Sequence, residues 1–280
     1  MAIATSRVLD LLHLGRRSVL GTWVVDDEYL IDVGPTSTVP HLLDALGGWR
    51  PRAIVLTHIH LDHAGGTGTL LERWPDVEVW VHAGGAPHLV DPSRLWKSAG
   101  RIFGPDLERL WGVPEPVPAG RIRTIDDGER AGPFRAVATP GHAGSHLALD
   151  HPSDGIVYCG DAAGVRIAPA TYVFPPTVPP ELDVEAWKAS IDRIAACRPR
   201  RLAIGHFGAF DDCDAHLERL RQELDAIVRE GRRGRDAYTA WVGRGFGEVR
   251  DPEFQEAYRD ACNPAMAWAG LERYLRREER

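Results

Sequence analysis

At 280 residues, with 44% hydrophobic and 26% charged side chains, the chain has an ordinary globular composition and can bury one large core. A net charge of −7 and a pI near 5.9 argue against a nucleic-acid binder, which normally presents a basic face. No apolar run approaches the roughly 18 residues of a membrane span, residues 1–7 lack the pattern of a signal peptide, and Cys159, Cys197, Cys213 and Cys262 form no CxxC pair. The cysteines therefore read as free thiols in a reducing cytoplasm.

Residues 8–14 are apolar and short, and Gly15-Arg16-Arg17 reads as a turn. Residues 20–25 and 29–33 are strand-like and joined by Asp26-Asp27-Glu28, which gives an antiparallel start closed by Gly34-Pro35. Residues 36–46 carry a helical pattern that ends at Gly47-Gly48. The apolar run 53–56 reads as a buried strand. Directly after it, Thr57-His58-Ile59-His60-Leu61-Asp62-His63-Ala64-Gly65-Gly66 packs four metal-ligand side chains into six residues. Imidazole with carboxylate suits zinc, iron or manganese, and the carboxyl end of a strand is where α/β proteins place their sites. Asp62 is expected in the first turn of the next helix, where the dipole favours a carboxylate. As a plain polar loop, the run would crowd three imidazoles together with nothing to hold them.

A helix over 67–74 and a strand over 77–81 follow, so strand–helix alternation predicts a layered α/β fold. Residues 94–103 and 106–111 read as helices. Trp96, Phe103 and Trp111 recur there at helical spacing, as core or as one wall of a pocket. Residues 121–125, 134–138, 146–149 and 156–159 form a second strand-rich block. Residues 168–183 are a proline-rich loop, either a surface connection or a wall of the site. Residues 184–197 read as a helix and 201–204 as a strand. The helical patterns at 214–230, 237–242, 252–261 and 264–277 finish the chain, with a break at 231–234.

Three further strand ends offer a small residue followed by a ligand-type side chain: Gly141-His142, Gly160-Asp161 and Gly205-His206. His82 and His146 adjoin strands and are candidate orienting partners. His13, His41, His88, His151 and His216 read as structural or surface residues.

The run His58-x-His60-x-Asp62-His63, followed in order by His142, Asp161 and His206, resembles the metallo-β-lactamase superfamily of hydrolases, with the match running from Asp32 to His206. The resemblance implies an α/β fold, a four-layered αβ/βα sandwich over residues 1–210, with a helical C-terminal extension over 211–280 packed on it. It implies two divalent metal ions, zinc first, with iron or manganese as alternatives. His58, His60 and His142 would hold one ion, Asp62, His63 and His206 the other, and Asp161 would bridge them. Asp32 would support the ligands from outside.

The implied function is binuclear hydrolysis, with a metal-bridging hydroxide attacking a thioester, lactone, carboxylester or phosphoester. Asp62 would be catalytic by orienting that nucleophile. Two ions bring four positive charges, and Asp62, Asp161 and the hydroxide leave about +1 to stabilise an anionic transition state. Glyoxalase II and its relatives share the seven-ligand set, although glyoxalase II's glutathione contacts are not recognisable here. Lactonases of the family place a tyrosine where Gly164 stands, and Tyr172 is a candidate to reach the site instead. Tyr172 and Phe174 are accordingly the expected substrate contacts. True β-lactamases usually lack the equivalent of Asp161, and flavodiiron proteins use glutamate in place of His60. The alternative activity is that of a persulfide dioxygenase-like oxidoreductase, with one iron on His58, His142 and Asp161. A non-catalytic binding protein is a third reading. The expected partner is a small-molecule substrate, with no nucleic acid and no membrane, and a homodimer is left open.

Overall fold

The computed structural model describes residues 6–279; Met1–Thr5, read above for a targeting signal, lie outside the described residues. The first half is built from β1 (Ser6–Asp10), β2 (Gly21–Val25), β3 (Tyr29–Ile31), α1 (Val39–Leu46), β4 (Ala53–Val55), α2 (Leu61–Ala64), α3 (Thr67–Arg73) and β5 (Glu78–Val81). It continues through α4 (Ala86–Val90), α5 (Ser93–Phe103), α6 (Leu107–Trp111) and β6 (Ile122–Thr124). The six strands form one sheet in chain order, antiparallel from β1 to β3 and parallel from β3 to β6.

The second half supplies β7 (Arg130–Ala131), β8 (Phe134–Ala138), β9 (Leu147–His151), β10 (Ile156–Gly160), α7 (Val184–Ala196), β11 (Arg201–Ile204) and β12 (Gly208–Phe210). These strands form the other sheet in the order β12-β11-β10-β9-β8-β7, with β10 and β11 parallel. Then come α8 (Cys213–Arg232), α9 (Arg235–Gly247), α10 (Pro252–Ala261) and α11 (Pro264–Glu278).

Strand periodicity explains the layering. Successive side chains on a strand point to opposite faces. Trp23, Val25, Tyr29, Ile31, Ala53, Val55 and Trp80 meet Phe134, Ala136, Leu147, Leu149 and Tyr158 in one core between the sheets. Their neighbours of opposite parity, Val24, Leu30, Ile54 and Val79, join the core beneath the helices. The central strands are thus buried on both faces and read as continuous apolar runs. Helix, sheet, sheet and helix stack as the αβ/βα sandwich, with a C-terminal helical region.

Several expectations shift in detail. The 3-10 turns Thr36–Thr38 and His13–Gly15 stand where a helix start and an apolar run were read. The edge strands β7 and β12 were not expected, because Arg130-Ala131 and Gly208-Ala209-Phe210 offer no apolar run. Gly231 does not end its helix, because α8 continues to Arg232 and the missing side chain lets Leu271 of α11 approach. Buried side chains of α8 to α11 share the core with α7 and with the proline-rich loop. Tyr258 donates to the Tyr172 carbonyl at 2.8 Å and accepts from Ile167 N–H at 3.0 Å, and Thr177 donates to the Ala267 carbonyl at 2.8 Å.

Candidate metal centre

Five strand ends open onto one edge of the sandwich. Asp32 follows β3, His58 follows β4, His142 follows β8, Asp161 follows β10 and His206 follows β11. α2 starts immediately after His60, which places Asp62 in its first turn and His63 in its last. The glycines before these residues have a steric reason. A Cβ on Gly160, whose φ is +48°, would lie 2.4 Å from Thr57 Oγ1, and one on Gly205 would lie 2.8 Å from the His63 ring.

Ligand-type atoms gather in three overlapping groups, each with its atoms within 4.8 Å of one another: His58, His60 and His142; His58, His63 and Asp161; Asp62, His63 and His206. Asp161 lies between them, with Oδ2 3.3 Å from His142 Nε2 and Oδ1 3.1 Å from His63 Nε2 and 3.4 Å from His206 Nε2. Asp62 Oδ2 is 3.5 Å from His206 Nε2, and His60 Nδ1 is 2.9 Å from His142 Nε2.

The far side of four of the five rings is tied down. His142 Nδ1–H donates to the Pro176 carbonyl at 2.8 Å, and His206 Nδ1–H donates to the Val19 carbonyl at 2.7 Å. His63 Nδ1–H donates to Asp32 at 2.9 Å. His58 Nδ1 lies 3.0 Å from the Thr57 hydroxyl, which donates to Asp32 at 2.8 Å. Such outer bonds fix the tautomer and aim the Nε2 lone pair inwards. His58, His63 and His206 Nε2 and Asp161 Oδ1 are buried without a hydrogen-bond partner. Orphaned buried polar atoms are costly, and four of them converging is the arrangement a cation would satisfy. The donor set of five imidazoles and two carboxylates therefore fits divalent metal ions.

The titration behaviour follows the same charge balance. Burial holds His58 well below the usual imidazole range, lowers His60 and brings His142 down to about 4. Burial opposes ionisation of Asp161 too, but His63, His206 and His142 outweigh it and keep that carboxyl well below its usual range. Burial likewise works against a charge on His63, yet Asp161, Asp62 and Asp32 raise it well above the ordinary value. The carboxylates thus create a potential that attracts positive charge into the cluster.

A cavity of about 520 Å³ opens from this cluster, with His60, Asp62 and Asp161 on its wall. The proline-rich loop contributes Pro176 and Val178–Pro180, and α5, α6, α10 and α11 supply most of the remaining lining. Phe103 and Trp111 face it, but Trp96 does not. Tyr172 and Phe174, the expected substrate contacts, lie elsewhere. Both are fully buried, packed on each other and on Phe246, with Tyr258 against Tyr172 and Trp241 against Phe174. Their side chains point into the C-terminal helices because their stretch of the loop runs beneath α9 and α10.

Sequence reasoning missed two neighbours. His13, read as structural or surface, is buried, stacks on Trp111 with ring centroids 5.0 Å apart and lines the cavity with Asp62. Nothing local to residues 12–15 signals this, since Trp111 is distant in the chain. Thr57 relays Asp32 to His58; its place beside the histidine run was the available signal. His146 stacks on His58 at 4.8 Å, with Nδ1 2.8 Å from the Thr139 hydroxyl. His82 instead sits near Asp126 and touches no ligand. His216 is buried against the Ala163 carbonyl, and His151 pairs with Asp26.

The family model for the metallo-beta-lactamase superfamily matches residues 18–206, and the chain belongs to that superfamily. It is a metal-dependent hydrolase of that superfamily. Among its relatives, a hydroxyacylglutathione hydrolase from Xylella fastidiosa strain M12 is 32% identical over 220 residues, covering 75% of this chain and 71% of the relative. A metallo-beta-lactamase fold-containing protein from Sulfurisphaera tokodaii is 28% identical over 216 residues, covering 72% and 78%. Among solved structures, a metallo-beta-lactamase family protein from Thermus thermophilus superposes with a TM-score of 0.61 at 22% identity, covering 93% of this chain and 89% of that one. No described helix is long and apolar enough to cross a membrane.

Proposed function

We propose that this chain holds two divalent metal ions and hydrolyses an ester-type bond, with thioesters the first class to test. The observation that carries the reading is Asp161, whose two oxygens face opposite halves of a complete seven-residue donor set. His58, His60 and His142 would hold one ion, and Asp62, His63 and His206 the other, with Asp161 shared. The second half of the set favours hydrolysis over a single-iron oxygenase, which would leave Asp62, His63 and His206 without a task. The relatives named hydroxyacylglutathione hydrolase support the thioester class.

Bound divalent ions would supply Lewis acidity and bring the pKa of water towards roughly 7. The chain's own residues do the rest. Asp62 is the donor-set carboxylate with more solvent access, and it faces the cavity at the first turn of α2, placed to accept a hydrogen bond from a water molecule and orient it. Asp32 and the Val19 and Pro176 carbonyls keep the imidazoles from turning. The apolar cavity wall limits water around the reacting bond, which strengthens every polar interaction inside it.

The test is a panel of thioester, lactone, carboxylester, phosphodiester and β-lactam substrates, run on protein loaded separately with zinc, iron or manganese. Thioester or ester turnover that a chelator abolishes is the expected result. Oxygen consumption with a persulfide substrate and no hydrolysis would overturn it.

A further inference from the structure

The cavity has features that the metal cluster does not explain. α5 is mostly half-buried, with Ala99 its one fully buried residue. Leu95, Ala99 and Ile102 recur at helical spacing, and all three line the cavity. Met266 and Ala269 of α11 and Pro176, Pro179 and Pro180 of the proline-rich loop line the same cavity. An amphipathic helix normally spends such a stripe on the core; here part of it is turned onto a cavity continuous with Asp62 and Asp161.

The charges on the wall point the same way. Asp106 pairs with Arg109, Asp260 with Arg16 and Arg259 with Glu256. Outside the metal-facing carboxylates, Arg101 at the exposed rim is the lining charge with no ion pair among the described residues. A tripeptide thiol with two carboxylates would find one unpaired cation here, whereas an apolar chain would find a lining that is mostly apolar. The volume of about 520 Å³ lies within the usual range for small-molecule sites.

We infer that the substrate carries an apolar group of about six carbons or more, seated between α5, α11 and the proline-rich loop, with the scissile bond held at the Asp62 end. This deepens the hydrolase reading and rests on it. The apolar group can belong to the acyl half or to the leaving half, since the cavity shows only that it is apolar.

The test compares three thioesters on the metal-loaded protein: S-ethyl thioacetate, S-ethyl thiohexanoate, which adds four methylenes to the acyl half, and S-hexyl thioacetate, which adds four to the leaving half. Alongside, calorimetry measures binding of hexanoate and of acetate. A buried methylene is worth about fourfold, so four added methylenes should raise kcat/KM on the order of 100-fold in at least one of the two longer thioesters. Which one gains identifies the half that enters the cavity. Ala269→Trp, at an exposed position on the wall, should cut the hexyl-to-acetyl ratio by about tenfold or more, while an unchanged melting temperature shows the fold intact. Equal turnover of all three thioesters, untouched by Ala269→Trp, would overturn the cavity assignment and leave the hydrolase reading standing. Hexanoate bound tightly by a protein that turns over none of them would do the reverse. If hexanoate binds no better than acetate and the hexyl compounds show no gain, the inference is wrong.

Discussion

Asp32 bears more of the donor set than its place outside it suggests, and its replacement gives a sharp expectation. Its carboxylate accepts three bonds: from Thr57 N–H at 2.8 Å, from the Thr57 hydroxyl at 2.8 Å and from His63 Nδ1–H at 2.9 Å. In Asp32→Ala the hydroxyl can rotate to another partner, but the amide and the imidazole N–H are stranded in a buried site. Each stranded donor costs about 1–3 kcal/mol. The residue also sits at a φ of +51°, where alanine adds about 1 kcal/mol that aspartate and asparagine tolerate better. The sum is roughly 3–7 kcal/mol, or a fall in melting temperature on the order of 5–20 °C for a domain of this size. Loss of the His63 tether should also weaken metal retention about 10- to 100-fold, read by competition with a chromogenic chelator. Asp32→Asn keeps one acceptor and the backbone preference, so it should fall between the two. An Asp32→Ala protein that melts within about 1 °C of the parent and resists the chelator equally would refute this description of the site's support.

Asp161→Ala should lose one or both ions and nearly all turnover, checked by elemental analysis beside the thioester assay; a variant with both ions and full activity defeats the bridging role. Tyr172→Phe should leave kcat/KM unchanged and stability equal or higher by about 1 kcal/mol, because the Tyr172 hydroxyl is buried without a partner; a drop in kcat/KM would return Tyr172 to the substrate site. His216, pushed by burial down to about 4, remains neutral in the fold with Nε2–H on the Ala163 carbonyl and Nδ1 accepting from Arg166. The unfolded chain takes up a proton below about 6.5 that the folded chain excludes. Stability from this group is therefore present above about pH 6.5 and falls by about 3 kcal/mol as the pH drops towards about 4. Denaturant titrations across that window should show a shallower slope in His216→Gln, and an identical slope would contradict the assignment.

How much was readable without coordinates depended on how local the cause was. The donor set was legible because its members sit just past short apolar-rich strands, so strand, small residue and ligand appear together in the chain. The buried strands were legible because both of their faces are covered. His13 was not legible, since its meaning comes from Trp111, far along the chain, stacking on its ring. Tyr172 and Phe174 misled for a related reason. Proline composition announces a stiff segment but not which way its side chains turn, and here the aromatic pair turns towards α9 and α10 while Pro176 and its followers turn towards the cavity. β7 and β12 went unread because Arg130-Ala131 and Gly208-Ala209-Phe210 carry neither the apolar run that marked β4 nor flanking residues that extend the pattern.

The proposed function requires that these seven side chains hold two cations and that hydrolysis depends on them. Counting metal per chain in the purified protein, and following thioester turnover as a chelator removes it and added metal restores it, tests that most directly. Close to two ions per chain are expected, with activity falling and returning in step with their number. Undiminished hydrolysis by protein stripped of metal would contradict it.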